Sequence, residues 1–354
     1  MKFIDLENEN KIAVKNCKAG FAAIESSGKY LLGDKLKQFE NDFANDQNVS
    51  YAIGVKNATD ALYMSFKALN AKDRSVIVPN FGAYPTIIAA MQADAGTIIV
   101  APVDNSLTIC LDEISIPNNS IIVPVHLFGN KANIENIHNN VLGKNCDIIE
   151  DCAQSTGLVK SQHSIIAIHS FYPTKPLGSR GDGGAILTND KTLFTYFKKA
   201  RFYGTNEHGL IDSWGFNSRL DEWQSCFLSS KIQYYRKMNK IRQDHATSFR
   251  KFLDFGIDYS SDCVYHQYVT FWNNRERVIK KFNDHNIPTI IHYPKMIYDM
   301  PHISKYISRY NKQNISEHIL SLPVGPHLNN DNVKKICNVL EELKNDAIRF
   351  EEIS

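Results

Sequence analysis

The sequence predicts an α/β protein: a largely parallel sheet of seven strands flanked by helices, followed by a smaller unit of different pattern. Three observations carry this expectation. The chain has 354 residues, more than the roughly 250–300 at which a single hydrophobic core stops growing, so two domains with a cleft between them are expected. From about residue 35 to 190, short β-rich apolar runs alternate with helix-like stretches, the signature of strand-helix-strand units. After residue 262 the pattern changes to a strand-like VYHQYVTFW, a helix near 276–285, short apolar segments and a last helix near 330–348.

In chain order, Leu36, Phe39 and Phe43 recur at helical spacing in DKLKQFENDFAN, which predicts an amphipathic helix. The strand candidates are YAIGV (51–55), SVIVP (75–79), TIIVAPV (97–103), IIVPVHLF (121–128), CDIIED (146–151), SIIAIHSF (164–171) and GGAILT (183–188). Helices are predicted over 58–69, with Asn57 as cap, and over 85–94. The region 218–256 reads mostly helical, and the boundary between a 1–240 domain and a 241–354 domain falls near 240, inside helical sequence. No fixed-period repeat, low-complexity segment or GxGxxG fingerprint is present.

Composition narrows the function. With 40 basic and 38 acidic residues intermixed, net charge +2, neither a nucleic-acid nor an anionic-membrane partner has electrostatic support. The start, MKFIDLENENK, lacks the form of a signal peptide, and no apolar run reaches the roughly 20 residues needed to span a bilayer, so a cytoplasmic protein is expected. Seven cysteines without a CxxC pair fit a reduced chain with neither disulfides nor a metal site, and Cys152 reads as a small buried residue.

The chemistry lies in three segments. Lys175 in HSFYPTKPLGSRGDGGA follows a strand candidate and stands between Pro173 and Pro176, in a stretch with Gly178, Gly181, Gly183 and Gly184. Such a stretch forms an irregular loop at a strand end, where open α/β sheets place ligands. A lysine there is partly desolvated, with a lowered pKa and an amine able to attack an aldehyde; elsewhere the same residue is a solvated surface charge. EDCAQ (150–154) puts two acids at the end of an apolar strand. If the cofactor is pyridoxal phosphate, one carboxylate must face the ring nitrogen and keep it protonated. Strand alternation sends Glu150 and Asp151 to opposite faces, and Asp151 is chosen because Gln154 follows at turn distance, within reach of the ring's phenolic oxygen; a strand-end acid capping a turn is the plainer alternative. Finally, NATDAL (57–62) offers backbone amides and the Thr59 hydroxyl at a helix start, a ready phosphate site, and Ser170 offers a second hydroxyl.

These segments, in this order, resemble the DegT/StrS-type sugar-nucleotide aminotransferases, which have the aspartate-aminotransferase fold. The resemblance also runs through GKYLLGDKLKQFENDFA, VPVHLFGN, YGTNEHGLIDSWGFNSRLDEWQS, the HYP of IIHYPK and SLPVGPHL. It implies a large domain with a mixed, mostly parallel sheet, a smaller α+β C-terminal domain, and a homodimer with shared active sites. It implies pyridoxal 5'-phosphate as cofactor, with Lys175 as the covalent lysine and proton shuttle, Asp151 at the ring nitrogen and Gln154 at the ring oxygen. Ser170, Thr59 and the Ala58 amide would hold the phosphate, and Asn217 would reach it from the partner subunit; read without the resemblance, Asn217 is a helix cap.

The implied reaction moves nitrogen from an amino-acid donor, L-glutamate by resemblance, to a nucleotide-linked keto sugar, for a surface polysaccharide or another glycoconjugate. The chain departs from the family in three places. Ala58 stands where glycine is usual. Ala83 stands where an aromatic residue usually stacks on the ring, which makes Tyr84 the stacking candidate. MIYDMP follows IIHYPK where many relatives carry a histidine. His126 and His292 sit at segment ends that can face the sugar, or are structural. The rivals are a cofactor-dependent sugar dehydratase, disfavoured because that chemistry goes with histidine in place of the lysine, a non-catalytic cofactor-binding regulator, and a nucleotide-binding α/β protein without pyridoxal phosphate.

Overall fold

The computed structural model describes residues 1–112, 114–309 and 312–353. Among the described residues ten strands form in chain order: β1 (Tyr51–Val55), β2 (Ser75–Pro79), β3 (Thr97–Ala101), β4 (Ile121–Ile122), β5 (Asp147–Asp151), β6 (Ile166–Ser170), β7 (Gly184–Thr188), β8 (Tyr268–Phe271), β9 (Ile307–Arg309) and β10 (Ile319–Leu322). Eight of them make one sheet, ordered β1-β7-β6-β5-β4-β2-β3-β9. Only β7 runs against its neighbours β1 and β6; every other pairing is parallel. The strands are buried almost throughout because helices cover both faces, which is why they read as continuous apolar runs rather than alternating ones.

All seven sequence candidates contain a strand of this sheet, and the eighth, β9, comes from the C-terminal part of the chain and pairs with β3 at the edge. The largest shortfall is at IIVPVHLF, where only Ile121–Ile122 is strand. Pro124 has no N–H to give to a ladder, and its carbonyl accepts from the Asp151 amide (2.9 Å) while the chain turns away.

The expected helices form at Asp34–Asp46, Ala58–Ala68, Pro85–Gln92, Arg275–Asp284 and Asn330–Glu342, and the Asn57 side chain accepts from the Asp60 amide as its cap. Leu36, Phe39 and Phe43 are buried with Phe171 and Leu177, so the amphipathic helix packs beneath the lysine loop. The helix Tyr235–Arg250 runs through residue 240 unbroken. Further on, β8 and β10 pair antiparallel as a separate ribbon over a second large core.

Two N-terminal helices, Leu6–Asn16 and Lys18–Ser27, lie outside the sequence expectations. The first is fixed by polar groups: Glu9 pairs with Arg242 (3.2 Å) in the interior, and the His327 ring donates to the Lys2 carbonyl (2.9 Å). The N-terminus is thereby tied to both the 235–250 helix and the C-terminal region.

Candidate active site

The C-terminal ends of β2, β4, β5 and β6 open on one edge of the sheet, where ligands of such sheets bind. Because β7 runs the other way, its first residue, Gly184, lies at this edge opposite both Val55 and Ser170. A β-carbon at Gly184 would stand 2.5 Å from the Asn57 carbonyl carbon and 2.8 Å from the Ala58 nitrogen, so glycine is what lets the helix start at residue 58 sit against the sheet. The resulting cleft, about 330 Å³, is lined by Asn57, Ala58, Thr59, Ala83, Pro85, Thr86, Val125, Asp151, Gln154, Ser170, Tyr172, Lys175 and Asp182, among others.

Lys175 rides on a loop that closes on itself. Its amide donates to the Tyr172 carbonyl (2.9 Å), the Ser179 hydroxyl donates to the Phe171 carbonyl (2.7 Å), and the Phe171 amide donates to Gly183 (2.8 Å). At Gly178 a β-carbon would fall 2.1 Å from the Pro173 carbonyl oxygen, and the buried Lys231 ammonium donates to the Gly178 carbonyl from beneath (3.1 Å). Rigid placement follows from these contacts rather than from the prolines alone. Burial lowers the Lys175 pKa to about 8, against the opposing pull of Asp151. Its amine makes no hydrogen bond to a described residue.

Asp151 ends β5 with its side chain in the cleft, 4% exposed. Thr86 donates to one carboxyl oxygen (2.7 Å) and the Ala153 amide to the other (3.1 Å). Burial raises its pKa despite the Thr86 bond; a cation beside it would reverse that shift. Glu150 points away. The Ala132 amide donates to His126 Nδ1 (3.0 Å), so Nε2 carries the hydrogen and donates to Glu150 (3.0 Å). Burial pushes the Glu150 carboxyl up, but the bonds from His126, Ser164 and Ser161 outweigh it and hold it below its ordinary range. Cys152 approaches this pair closely enough to suggest a metal cluster. Both His126 nitrogens are already engaged, however, and burial pushes the Cys152 thiol well up. His126 is therefore a structural histidine.

Of the other sequence candidates, Ala58, Thr59, Ser170 and Gln154 line the same cleft as Lys175 and Asp151. Tyr84 is not among the lining residues, while Ala83 and Pro85 are; the Tyr84 ring packs edge-on against Tyr293 (6.0 Å) instead. Asn217 is exposed and bridges Phe202, outside its own chain's cleft. Its neighbour Ser218 accepts from the Lys56 amide (3.1 Å) and donates to Asp60 (2.7 Å), fixing this segment at the helix start. His292 lies beside Phe3 and is 2.9 Å from the Ser321 hydroxyl; burial, with the Lys175 charge, lowers its pKa to about 4.

Sequence reasoning missed Thr86 as the partner of Asp151, Asp182 and Tyr172 in the lining, and Tyr293, whose hydroxyl accepts from Gln154 (2.9 Å). The HYP tripeptide was the available signal for Tyr293, but it carries no indication of which side of the cleft the ring enters.

The cleft fits pyridoxal phosphate on its own chemistry: an amine with no partner among the described residues, a buried carboxylate without a full counter-charge, and the amides and Thr59 hydroxyl of a helix start beside the Ser170 hydroxyl at the end of β6, where a glycine clears the space. The fold and site together define a cofactor-dependent group-transfer enzyme. The chain belongs to the DegT/DnrJ/EryC1/StrS aminotransferase family, whose profile matches residues 12–341. It is 31% identical to the UDP-2-acetamido-2-deoxy-3-oxo-D-glucuronate aminotransferase of Pseudomonas aeruginosa, over 96% of this chain and 99% of that one. Identity is also 31% to the dTDP-3-amino-3,6-dideoxy-alpha-D-galactopyranose transaminase of Aneurinibacillus thermoaerophilus, over 96% and 98%. Among solved structures, S. venezuelae DesV in complex with a ketimine intermediate superposes with a TM-score of 0.90 at 26% identity, covering 98% of this chain and 99% of that one. The chain is an α/β aminotransferase of the pyridoxal-phosphate class, and none of its described helices is long and apolar enough to cross a membrane.

Proposed function

We propose that this protein transfers an amino group from L-glutamate to the keto group of a nucleotide-linked deoxysugar, as a cytoplasmic homodimer with shared sites. The observation that carries the reading is the convergence of the Lys175 amine and the Asp151 carboxylate on one cleft beside an amide-rich helix start. The substrate class rests on the two curated relatives, whose names specify UDP- and dTDP-linked sugars. When bound, pyridoxal phosphate supplies an aldehyde for amines and a ring that withdraws electrons from the α-carbon.

The chain's residues do the rest. Lys175 holds the cofactor covalently and, once displaced by substrate, moves the proton at the substrate α-carbon. Asp151 keeps the ring nitrogen protonated, with Thr86 fixing the carboxyl group. The Ala58 amide, Thr59 and Ser170 hold the phosphate, and Gln154 donates to the ring oxygen. Tyr84, the aromatic candidate for the ring face, is not among the residues that line the cleft and packs on Tyr293. Asn217, exposed on its own chain, is assigned to the partner's phosphate. Exposed Tyr172, Tyr203, Leu210 and Ile211 supply apolar surface for such an interface. Residues 1–240 are taken as the cofactor domain and 241–354 as the small domain, with β9 reaching back to the large sheet.

The test supplies UDP- and dTDP-linked 3-keto and 4-keto sugars with L-glutamate and identifies products by mass and NMR. An amino sugar with equimolar 2-oxoglutarate is the expected result. Loss of water from the sugar instead would make the protein a dehydratase, and a coloured protein that glutamate leaves unchanged would make it a non-catalytic binder.

A further inference from the structure

Gln154 lines the cleft yet is only 2% exposed, and both ends of its carboxamide are held. The Phe128 amide donates to Oε1 (2.7 Å), and because that group can only donate, it fixes which end of the amide is oxygen. Nε2 donates one hydrogen to the Tyr293 hydroxyl (2.9 Å), and its second hydrogen has no described partner. Tyr293 comes from the far end of the chain on an anchored segment. Ile290 and Ser321 exchange backbone bonds of 3.2 and 2.8 Å, and His292 is 2.9 Å from the Ser321 hydroxyl. The Tyr293 ring itself is caged by Phe81, Tyr84 and Phe128, at 6.1, 6.0 and 6.3 Å between centroids. A residue fixed in the C-terminal region thus sets the orientation of a side chain in the cofactor cleft.

We propose that Tyr293 is a positioning residue that acts through Gln154: by taking one Nε2 hydrogen it directs the other into the cleft, where that hydrogen donates to the ionised ring oxygen of the cofactor. The inference rests on the pyridoxal-phosphate reading above. Its consequence is electronic. A donor at the ring oxygen stabilises the negative charge there, so a loosened donor leaves that oxygen more basic and holds the neighbouring proton to higher pH. Asp151 and Lys175 line the same cleft, and Tyr84 packs on the Tyr293 ring.

Tyr293→Phe removes the hydroxyl and keeps the ring in its cage. In the cofactor-loaded protein, the pH midpoint of the visible absorbance band is expected to rise by roughly half a unit or more. Cofactor affinity should fall roughly three- to tenfold, while the melting temperature of the cofactor-free protein stays unchanged. Gln154→Ala should raise the midpoint by itself, and adding Tyr293→Phe to it should change nothing further, the non-additivity expected of one residue acting through another. An unchanged midpoint in Tyr293→Phe, or the same added shift in the Gln154→Ala background, overturns the assignment while leaving the cofactor reading intact. A lower melting temperature without a spectral shift would reduce Tyr293 to packing and overturns it too. Wild-type protein that takes up no cofactor removes the underlying reading and this one with it.

Discussion

Lys175 and Asp151 divide the work between them through burial. Desolvation disfavours the charged form of each, lowering the lysine to about 8 and raising the aspartate, and their mutual attraction only partly offsets it. A neutral amine is the form that attacks an aldehyde, and above pH 8 it predominates at Lys175, where a solvated lysine would stay protonated to about 10.5. Covalent capture of pyridoxal phosphate by the cofactor-free protein should therefore accelerate with rising pH through a midpoint near 8. Stopped-flow absorbance reads this directly, and a midpoint near the ordinary lysine value would contradict the desolvated site. Asp151, whose burial disfavours the bare carboxylate, is the proposed partner of the ring nitrogen. Asp151→Asn keeps the shape and the Thr86 contact but cannot hold a ring nitrogen protonated, so turnover should drop roughly a hundredfold or more with weakened cofactor retention. Near-normal activity with the true substrate would hand the role to another group.

Among the elements, the helix Asp34–Asp46 shows how a distant residue completes a local structure. It begins without a capping side chain of its own, and Glu222 supplies one from nearly two hundred residues away. Its carboxyl oxygens accept from the amides of Gly33 (2.8 Å), Lys35 (2.8 Å) and Leu36 (3.1 Å) while the residue is 2% exposed. A β-carbon at Gly33 would stand 2.6 Å from that carboxylate, which explains the glycine. Glu222→Ala leaves three donors unpaired at a helix start and should lower stability by about 3 kcal/mol. Chemical denaturation measures it, and an unmoved midpoint would show that water replaces the carboxylate without cost.

The same contrast explains what was legible. Strands such as SVIVP and CDIIED could be read because both faces are buried and the run is apolar, and the 34–46 helix because Leu36, Phe39 and Phe43 form a stripe. The Leu6–Asn16 helix could not, since it buries Glu9, Asn10 and Ala13 and so shows no apolar stripe. At the site, local order placed Lys175, Asp151, Ser170 and Thr59 together because each ends or follows a strand or opens a helix. Thr86 and Tyr293 depend on contacts 65 and 139 residues apart in sequence, which periodicity does not encode.

At the scale of the whole molecule, the proposed two-fold dimer has each chain finish the other's site, with Asn217 and the exposed Leu210 and Ile211 as its candidate contacts. If so, a Lys175→Ala subunit still lends its Asn217 and an Asn217→Ala subunit still supplies its lysine. Provided Asn217→Ala alone is badly impaired, mixing the two variants under subunit exchange should restore one complete site per heterodimer. Two impaired variants that exchange fully and never regain activity, or an active monomer in sedimentation, would contradict the shared site. Beneath the proposed dimer, the substrate class and the pH behaviour lies the assignment of covalent chemistry to Lys175. Borohydride reduction of the protein loaded with pyridoxal phosphate, followed by peptide mass mapping, tests it most directly. The expected result is reduced cofactor on the peptide containing Lys175 and none on Lys175→Ala. Cofactor fixed on another lysine, or on none, would contradict the account.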